Sequence, residues 1–528
     1  MELIGILGFT VISIIAYNRE EKIDRFLSGH SFLKKSCPFL ICFIISFLVA
    51  VNFNLSPFNN ALPGGDSSVF LYIGRSMYNG AVPYKDLFDH KGIVLYFIEY
   101  LGYLIGFGRQ IGVWLIEWAN IFATSLIFFY IAERFSKSRI ICYLSTYIVL
   151  QLTTLTFFEG EGGNLTEEYA LPWISLSLYV VVKFFQTKEF KMPHLLALGA
   201  GFTVVFFLRV NMVGLWGALI IAVLIYLVKS KRIADIFKYS LLFIAGCLLV
   251  AVPVMIYLSV TGSLKDMIDY YFVFNLSYTG SHSKKGLVTF IFYCIDYAGI
   301  SAFFVVYSLV SNRRNKYLWL NALALLFAYL SAAVSGRLYR HYGIILIPFF
   351  IIPAVLSVAP LMEKTKEIST PLNKKSATVF VIVLSLLCVA FYPSSRFYVK
   401  LKKPASGGEI YSYLSKETTE NDDVLFLGKK VYGYLRSNRH TKNKFFYQEP
   451  PIDVSDKLYD EFISELSSNP SDYIINLRTN DQADPSEEID AEAKNNHQKV
   501  IDYLNGECEK GLYKLEKHNS FQVYVRKQ

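Results

Sequence analysis

Residues 62–102 read LPGGDSSVFLYIGRSMYNGAVPYKDLFDHKGIVLYFIEYLG. Gly64-Gly65 makes a turn and Asp66 opens a helix. Phe70, Ile73 and Met77 fall on one stripe of it, the spacing of an amphipathic segment. Gly80 and Pro83 end that helix. Asp86, Asp89, His90 and Lys91 then crowd into six positions directly before an apolar run. The run, 93–108, is about sixteen residues long with Glu99 inside it. A helix crossing a bilayer needs roughly 20 apolar residues, so this one is predicted to lie in the interface or to re-enter, not to cross. The sidedness of everything downstream turns on that reading.

Working outward, apolar stretches long enough to span lie near 2–17, 37–53, 111–131, 139–157, 170–186, 193–209, 212–228, 237–258, 287–310, 317–335, 342–360 and 377–393. The first starts Met1-Glu2 without a basic flank or a small-residue cleavage site, and is read as a retained helix. With an outside N-terminus and 93–108 not crossing, one set of loops collects 21 Lys and Arg, among them Arg19, Lys34, Arg134, Lys188, Arg232 and Arg314. Positive charge marks the cytoplasmic side. If 93–108 crossed, those loops would land outside. The frame therefore puts 54–110, the segment 158–169 (FEGEGGNLTEEY), 336–342 (GRLYRHY) and the tail on the outer face.

Composition agrees. Hydrophobic residues make up 53% of the 528 and charged ones 18%, against about 25% charged in soluble chains; mean hydropathy is +0.36. The charge is uneven: residues 1–396 hold 33 Lys/Arg and 21 Asp/Glu, and residues 397–528 hold 19 and 22. The chain reads as an α-helical polytopic membrane region, 1–396, of about twelve spans, followed by an extracytoplasmic α/β domain, 397–528. A soluble enzyme, a disordered chain and a disulfide-rich secreted module are excluded. Of seven cysteines only Cys508 lies in the tail, and no Cys/His metal spacing occurs. Within the tail, helices are predicted at 408–418, 455–467 and 498–510 and strands at 424–427, 473–477 and 521–525. No phosphate loop or nucleophile elbow and no concentrated acid/base site is present there, so the tail is not expected to be the catalytic domain.

An acidic residue just after an early span, an amphipathic helix, and P-Y-x-D-x-F-D-H-K-G running into L-Y-x-x-x resemble the GT-C superfamily. These are polytopic glycosyltransferases using lipid-linked sugars; the resemblance is closest to the bacterial family-39 branch, with protein mannosyltransferases and aminoarabinose transferase. It covers 37–186 well and the remainder through topology and the Arg/His-Tyr segment. Relatives commonly carry an acidic pair where this chain has Asp66-Ser67, so a second carboxylate is expected from Asp89 or from Glu167/Glu168.

The resemblance implies inverting transfer from a polyprenyl-phosphate sugar to an extracytoplasmic glycan, lipid or protein, in the plasma membrane. Such transfer needs a carboxylate to take the acceptor proton and cations for the departing phosphate. Asp66 fits the base, with Asp89 and His90 orienting. Lys91, Arg337, Arg340 and His341 fit the phosphate clamp, Arg for bidentate contact and Lys as a point charge. Tyr84, Glu167 and Glu168 fit substrate contact. Asp66, Asp89, Glu167 and Glu168 are possible oxygen ligands for a divalent cation, but no obligatory metal is expected. Each residue has a plainer reading: Asp66 as a helix cap, Asp86 as a loop residue, Lys91 as a snorkelling side chain, and Glu167/Glu168 or Arg337/Arg340/His341 as charges suited to helix ends. Asn164-Leu165-Thr166 matches a glycosylation sequon, a frequent chance match. Glu117 and Asp296 fall inside predicted spans without evident partners. Two other classes compete: an outer-leaflet polysaccharide polymerase or ligase, which would put its dominant loop late in the chain, and a transporter or flippase, which would break helices near mid-membrane in both halves.

Overall fold

A computed structural model describes residues 2–59, 61–157, 161–276, 305–306, 308–310, 312, 314–334, 339–367, 408–477 and 496–527. Arg337, Asp296, the predicted span 377–393, nearly all of 287–310 and the 396/397 division lie outside them. The helices are α1 (Glu2–Tyr17), α2 (Glu20–Ser28), α3 (Ser31–Ala50), α4 (Gly65–Tyr78), α5 (Ile93–Ile105), α6 (Ile111–Ala132), α7 (Arg139–Phe157) and α8 (Thr166–Thr187). They continue with α9 (Met192–Phe206), α10 (Gly214–Lys229), α11 (Ile233–Val260), α12 (Leu264–Met267), α13 (Lys316–Ala333) and α14 (Ile351–Glu367). A π-helical turn, Ile268–Phe274, extends α12, and a 3₁₀ run, Arg340–Phe350, leads into α14.

Among the described residues seven helical stretches are long and apolar enough to cross a membrane, and four shorter apolar helices accompany them. This is an integral membrane protein. The α5 helix has 13 residues. At 1.5 Å per residue it reaches about 20 Å, short of a hydrocarbon core of about 30 Å. It folds back on α6 through a close backbone approach. A Cβ on Gly112 would collide with the Gly102 carbonyl oxygen, and one on Gly102 with Val113. Small residues at a helix contact permit such packing.

The basic loops gather at one end of the bundle. Ser138 donates to Glu20 (2.6 Å) and Arg139 to the Lys34 carbonyl (3.0 Å). Arg232 donates to the Lys188 carbonyl (2.6 Å), and the Phe135 and Tyr317 rings meet at 5.8 Å. The segments 51–59, 61–64, 79–92 and 161–165 collect at the opposite end, where Asn54 N–H donates to the Gly162 carbonyl at 2.7 Å.

The tail forms a mixed four-stranded sheet, ordered β1 (Val424–Phe426), β2 (Tyr473–Asn476), β4 (Gln522–Arg526), β3 (Tyr513–Lys517). Strands β1 and β2 pair in parallel; β4 runs antiparallel to both β2 and β3. Three strands match the sequence expectation. The unexpected one, β3, reads YKLEK, with charges on its exposed positions as suits a sheet edge.

The sheet-bearing segment does not stand apart from the bundle. Tyr72 of α4 stacks on Phe446 (4.5 Å) and Phe88 on Phe445 (5.1 Å). Arg75 donates to the carbonyls of Tyr434 (3.1 Å) and Arg439 (2.6 Å), and Phe88 N–H donates to the Lys444 carbonyl (2.9 Å). These rings are buried on both sides, so one apolar core runs from bundle to tail.

Candidate active site

Asp66 sits in the first turn of α4, one residue past the Gly65 that opens the helix. Gly64 before it is pressed against Glu161; a Cβ there would overlap the Glu161 backbone. The Asp66 carboxylate accepts from Lys429 Nζ of the tail at 2.7 Å. Burial would push this carboxyl up, but Lys429, Lys91 and His341 outweigh it and hold Asp66 well below the usual carboxylate range. Asp66 is therefore ionised. Glu161 beside it is pushed the other way, by burial and then by the Asp66 charge. Like charges at close range separate in this manner.

Asp89 is 2% exposed and fully engaged. One oxygen accepts from Tyr447 of the tail (2.6 Å) and from the His90 N–H (2.7 Å), the other from Tyr96 (2.8 Å). His90 is pushed down to about 3 by burial and by neighbouring Lys91. Its neutral ring has one donor and one acceptor. Asn275 donates its amide to the His90 carbonyl (2.7 Å) and the Tyr271 carbonyl (2.8 Å), which turns its oxygen toward His90 Nδ1 at 2.9 Å. That assigns the proton to Nδ1 and leaves the Nε2 lone pair to accept from Lys91 Nζ at 3.2 Å. Below it, the Lys91 carbonyl accepts from Tyr84 (2.6 Å) and Tyr96 (3.1 Å). Tyr84 itself is fully buried, at a positive φ of 67°.

The 3₁₀ run brings His341, 8% exposed, into the field of Asp66, while Arg340 stands exposed beside it. Glu167 pairs with Arg209, whose guanidinium lies 3.9 Å over the Tyr342 ring. Glu168 is buried with Glu99 and Glu117 in a three-carboxyl group between α5, α6 and α8. There Glu117 accepts from Asn164 N–H at 2.5 Å. The Asn164 amide donates to Ser67 (3.0 Å) and its oxygen accepts from Tyr169 (2.7 Å). Asn164 is fully buried, so the sequon match at 164–166 has no accessible acceptor nitrogen. Among the described residues no three His, Cys, Asp or Glu side chains converge as a metal cage.

Asp66, Lys91 and His341 thus come together, with Asp89 and His90 adjoining. Four participants were not singled out beforehand: Glu161, Arg209, Lys429 and Tyr447. Glu161 lies beside Asp66; of the sequence candidates for a second carboxylate, Asp89 adjoins the cluster, Glu167 pairs with Arg209 and Glu168 is buried with Glu99 and Glu117. The signal for Glu161 was present in FFEGEGGNLTEE, where two acidic residues, Glu159 and Glu161, precede the last two. Lys429 and Tyr447 stand in ordinary tail sequence, with no motif around them.

The chain superposes on solved structures of ArnT from Cupriavidus metallidurans. With the apo state the TM-score is 0.59 at 12% identity, covering 94% of this chain and 98% of that one. With the undecaprenyl-phosphate-bound state it is 0.56 at 12% identity, covering 93% and 98%. A weaker likeness, TM-score 0.49 at 11% identity over 94% and 75%, is to the oligosaccharyltransferase AglB from Archaeoglobus fulgidus. No curated protein matches by sequence. The ArnT likeness shows the GT-C fold that the first loop resembles. Residues 30–402 match the family model described as "Putative competence-induced protein Ccs4 N-terminal domain", and the chain belongs to that family.

Proposed function

We propose that this protein transfers a sugar from a polyprenyl-phosphate carrier to an acceptor outside the cytoplasm, with Asp66 as general base. The observation that carries the reading is an ionised Asp66 at the end of the bundle opposite the basic loops, ringed by Lys91, His341 and Lys429. A base flanked by cations suits both halves of the reaction. The carboxylate takes the acceptor hydroxyl's proton as that oxygen attacks the anomeric carbon. The ammonium groups offset the charge growing on the departing lipid phosphate. Support for a lipid donor comes from ArnT, which has the same fold and was solved with undecaprenyl phosphate.

Asp89 and His90 act as positioning residues in this scheme. Asp89 anchors two tyrosines and the His90 backbone, and neutral His90 holds the Lys91 ammonium by its lone pair. Tyr84 braces the Lys91 backbone from below, which suits a support more than a substrate contact. Arg340 and Arg337 serve the donor phosphate in this scheme, and Glu167, paired with Arg209, serves substrate contact. The chain divides into a catalytic bundle and a tail domain on the same outer face.

The test uses the full chain in lipid nanodiscs with polyprenyl-phosphate sugars extracted from host membranes. Wild type should release free polyprenyl phosphate, followed by mass spectrometry, and Asp66→Asn should not. Equal release from both, or none from wild type with an acceptor extract present, refutes the proposal.

A further inference from the structure

Lys429 is in an unfavourable place for a cation. The N-terminus of a helix carries the positive end of its dipole, and Lys429 lies along that end of α4: its Cε and Nζ stand 3.7 Å from where a Cβ on Gly65 would be. Its compensation is Asp66, at 2.7 Å, and the pair is part-buried, with Lys429 31% and Asp66 21% exposed, so one side of it faces solvent. Lys91 also bears on Asp66, and Glu161 is the other carboxyl in reach, pushed up by burial and by the Asp66 charge. A helix N-terminus and two ammonium groups brought together in this way suit a lipid-linked phosphate.

The loop that delivers Lys429 is firmly built. Gly428 N–H donates to the Gln448 side chain (2.8 Å), which in turn donates to the Phe445 carbonyl (2.7 Å). Gly428 has a φ of +81°, a turn that a side chain would strain. The Tyr434 hydroxyl ties the Phe426 N–H (2.9 Å) to the Phe446 carbonyl (3.1 Å), and Arg75 of α4 holds the carbonyls of Tyr434 and Arg439 downstream of it. So the ammonium is brought to the site by tail architecture, on a flexible four-carbon stem.

We infer that Lys429 of the C-terminal segment is a working member of the donor-phosphate site, exchanging the Asp66 carboxylate for the lipid phosphate when the donor binds. The exchange does two things at once: it grips the phosphate and it frees the base to accept a proton. The inference rests on the lipid-linked donor proposed above and adds a residue, and a domain, that it did not include.

The experiment measures binding of undecaprenyl phosphate to the full chain in nanodiscs, with inorganic phosphate titrated in parallel. Lys429→Met should weaken undecaprenyl phosphate about ten- to a hundredfold, the span expected for a lost charge-assisted bond. Lys429→Arg should stay within about threefold, and Lys510→Met, an exposed tail cation, should match wild type. A merely structural ion pair would make Asp66→Asn neutral or harmful to binding. Here Asp66→Asn should bind more tightly than wild type, because Lys429 loses its competitor, and adding Lys429→Met should abolish that gain. The pH dependence of transfer gives a second readout. The groups facing Asp66 are Lys429, Lys91, His341 and Glu161. Removing Lys429 lets the Asp66 pKa rise, so activity should fail at a higher pH on acidification than in wild type. Wild-type affinity in Lys429→Met, with an unmoved acid limb, overturns the inference and leaves the donor reading intact. Binding of inorganic phosphate alone, or of neither ligand by wild type, overturns both.

Discussion

Two of the stretches that supply this site, 64–91 in the first loop and 428–448 in the tail, differ in how they hold their charges. In the first, Asp89, His90 and Lys91 touch one another or each other's partners beside Asp66, and buried tyrosines fix the backbone that carries them. In the second, single side chains, Lys429 and Tyr447, project from a loop whose polar groups are spent on its own structure. A dense charged cluster beside an apolar run cannot be explained by solubility, and so it is visible in sequence. A lone Lys and a lone Tyr in a polar domain are ordinary there, and only the docking of the domain gives them a role.

If the first stretch carries the chemistry and the second assists, variants should fall in that order. Asp66→Asn removes the base and should lower transfer by about 10²–10⁴, assayed in nanodiscs with the protein folded and inserted. Lys91→Met should cost ten- to a hundredfold in donor affinity. Tyr447→Phe removes one of three hydrogen bonds to Asp89 and should lower kcat by less than about tenfold, the cost of one bond of about 0.5–1.5 kcal/mol; an effect as large as Asp66→Asn would make the tail an equal partner in the chemistry. At the small end, Asp86 caps a local turn by accepting from Val82 N–H at 2.8 Å and is exposed. Asp86→Asn should leave transfer within about twofold; a large loss would redraw the first stretch.

Much of this was legible from the sequence because membranes leave few options. Apolar length and loop charge are strong signals, and α5, at 13 residues, has the shortness on which the topology turned. The sheet was legible where strands are apolar on both faces and not at β3, where Lys and Glu alternate with Tyr and Leu. Asp66, Lys91 and His341 were found because their types and spacing sit badly with the bland readings. Glu161 was obscured by four neighbouring acidic and glycine positions from which sequence could not choose. Arg209 lies at a helix end where a cation is unremarkable, and its pairing with Glu167 spans 42 positions. Lys429 reaches Asp66 across 363 positions, a separation at which no local pattern operates.

Lipid-linked sugar transfer by the Asp66 carboxylate should leave its mark in the envelope of the producing cell. Mass analysis should compare glycopolymers and lipids from cells carrying the wild-type gene, no gene, and Asp66→Asn at equal protein level. The account predicts a sugar-sized substituent present with wild type and missing alike from the other two. Identical envelopes in all three, or full restoration by Asp66→Asn, would contradict it.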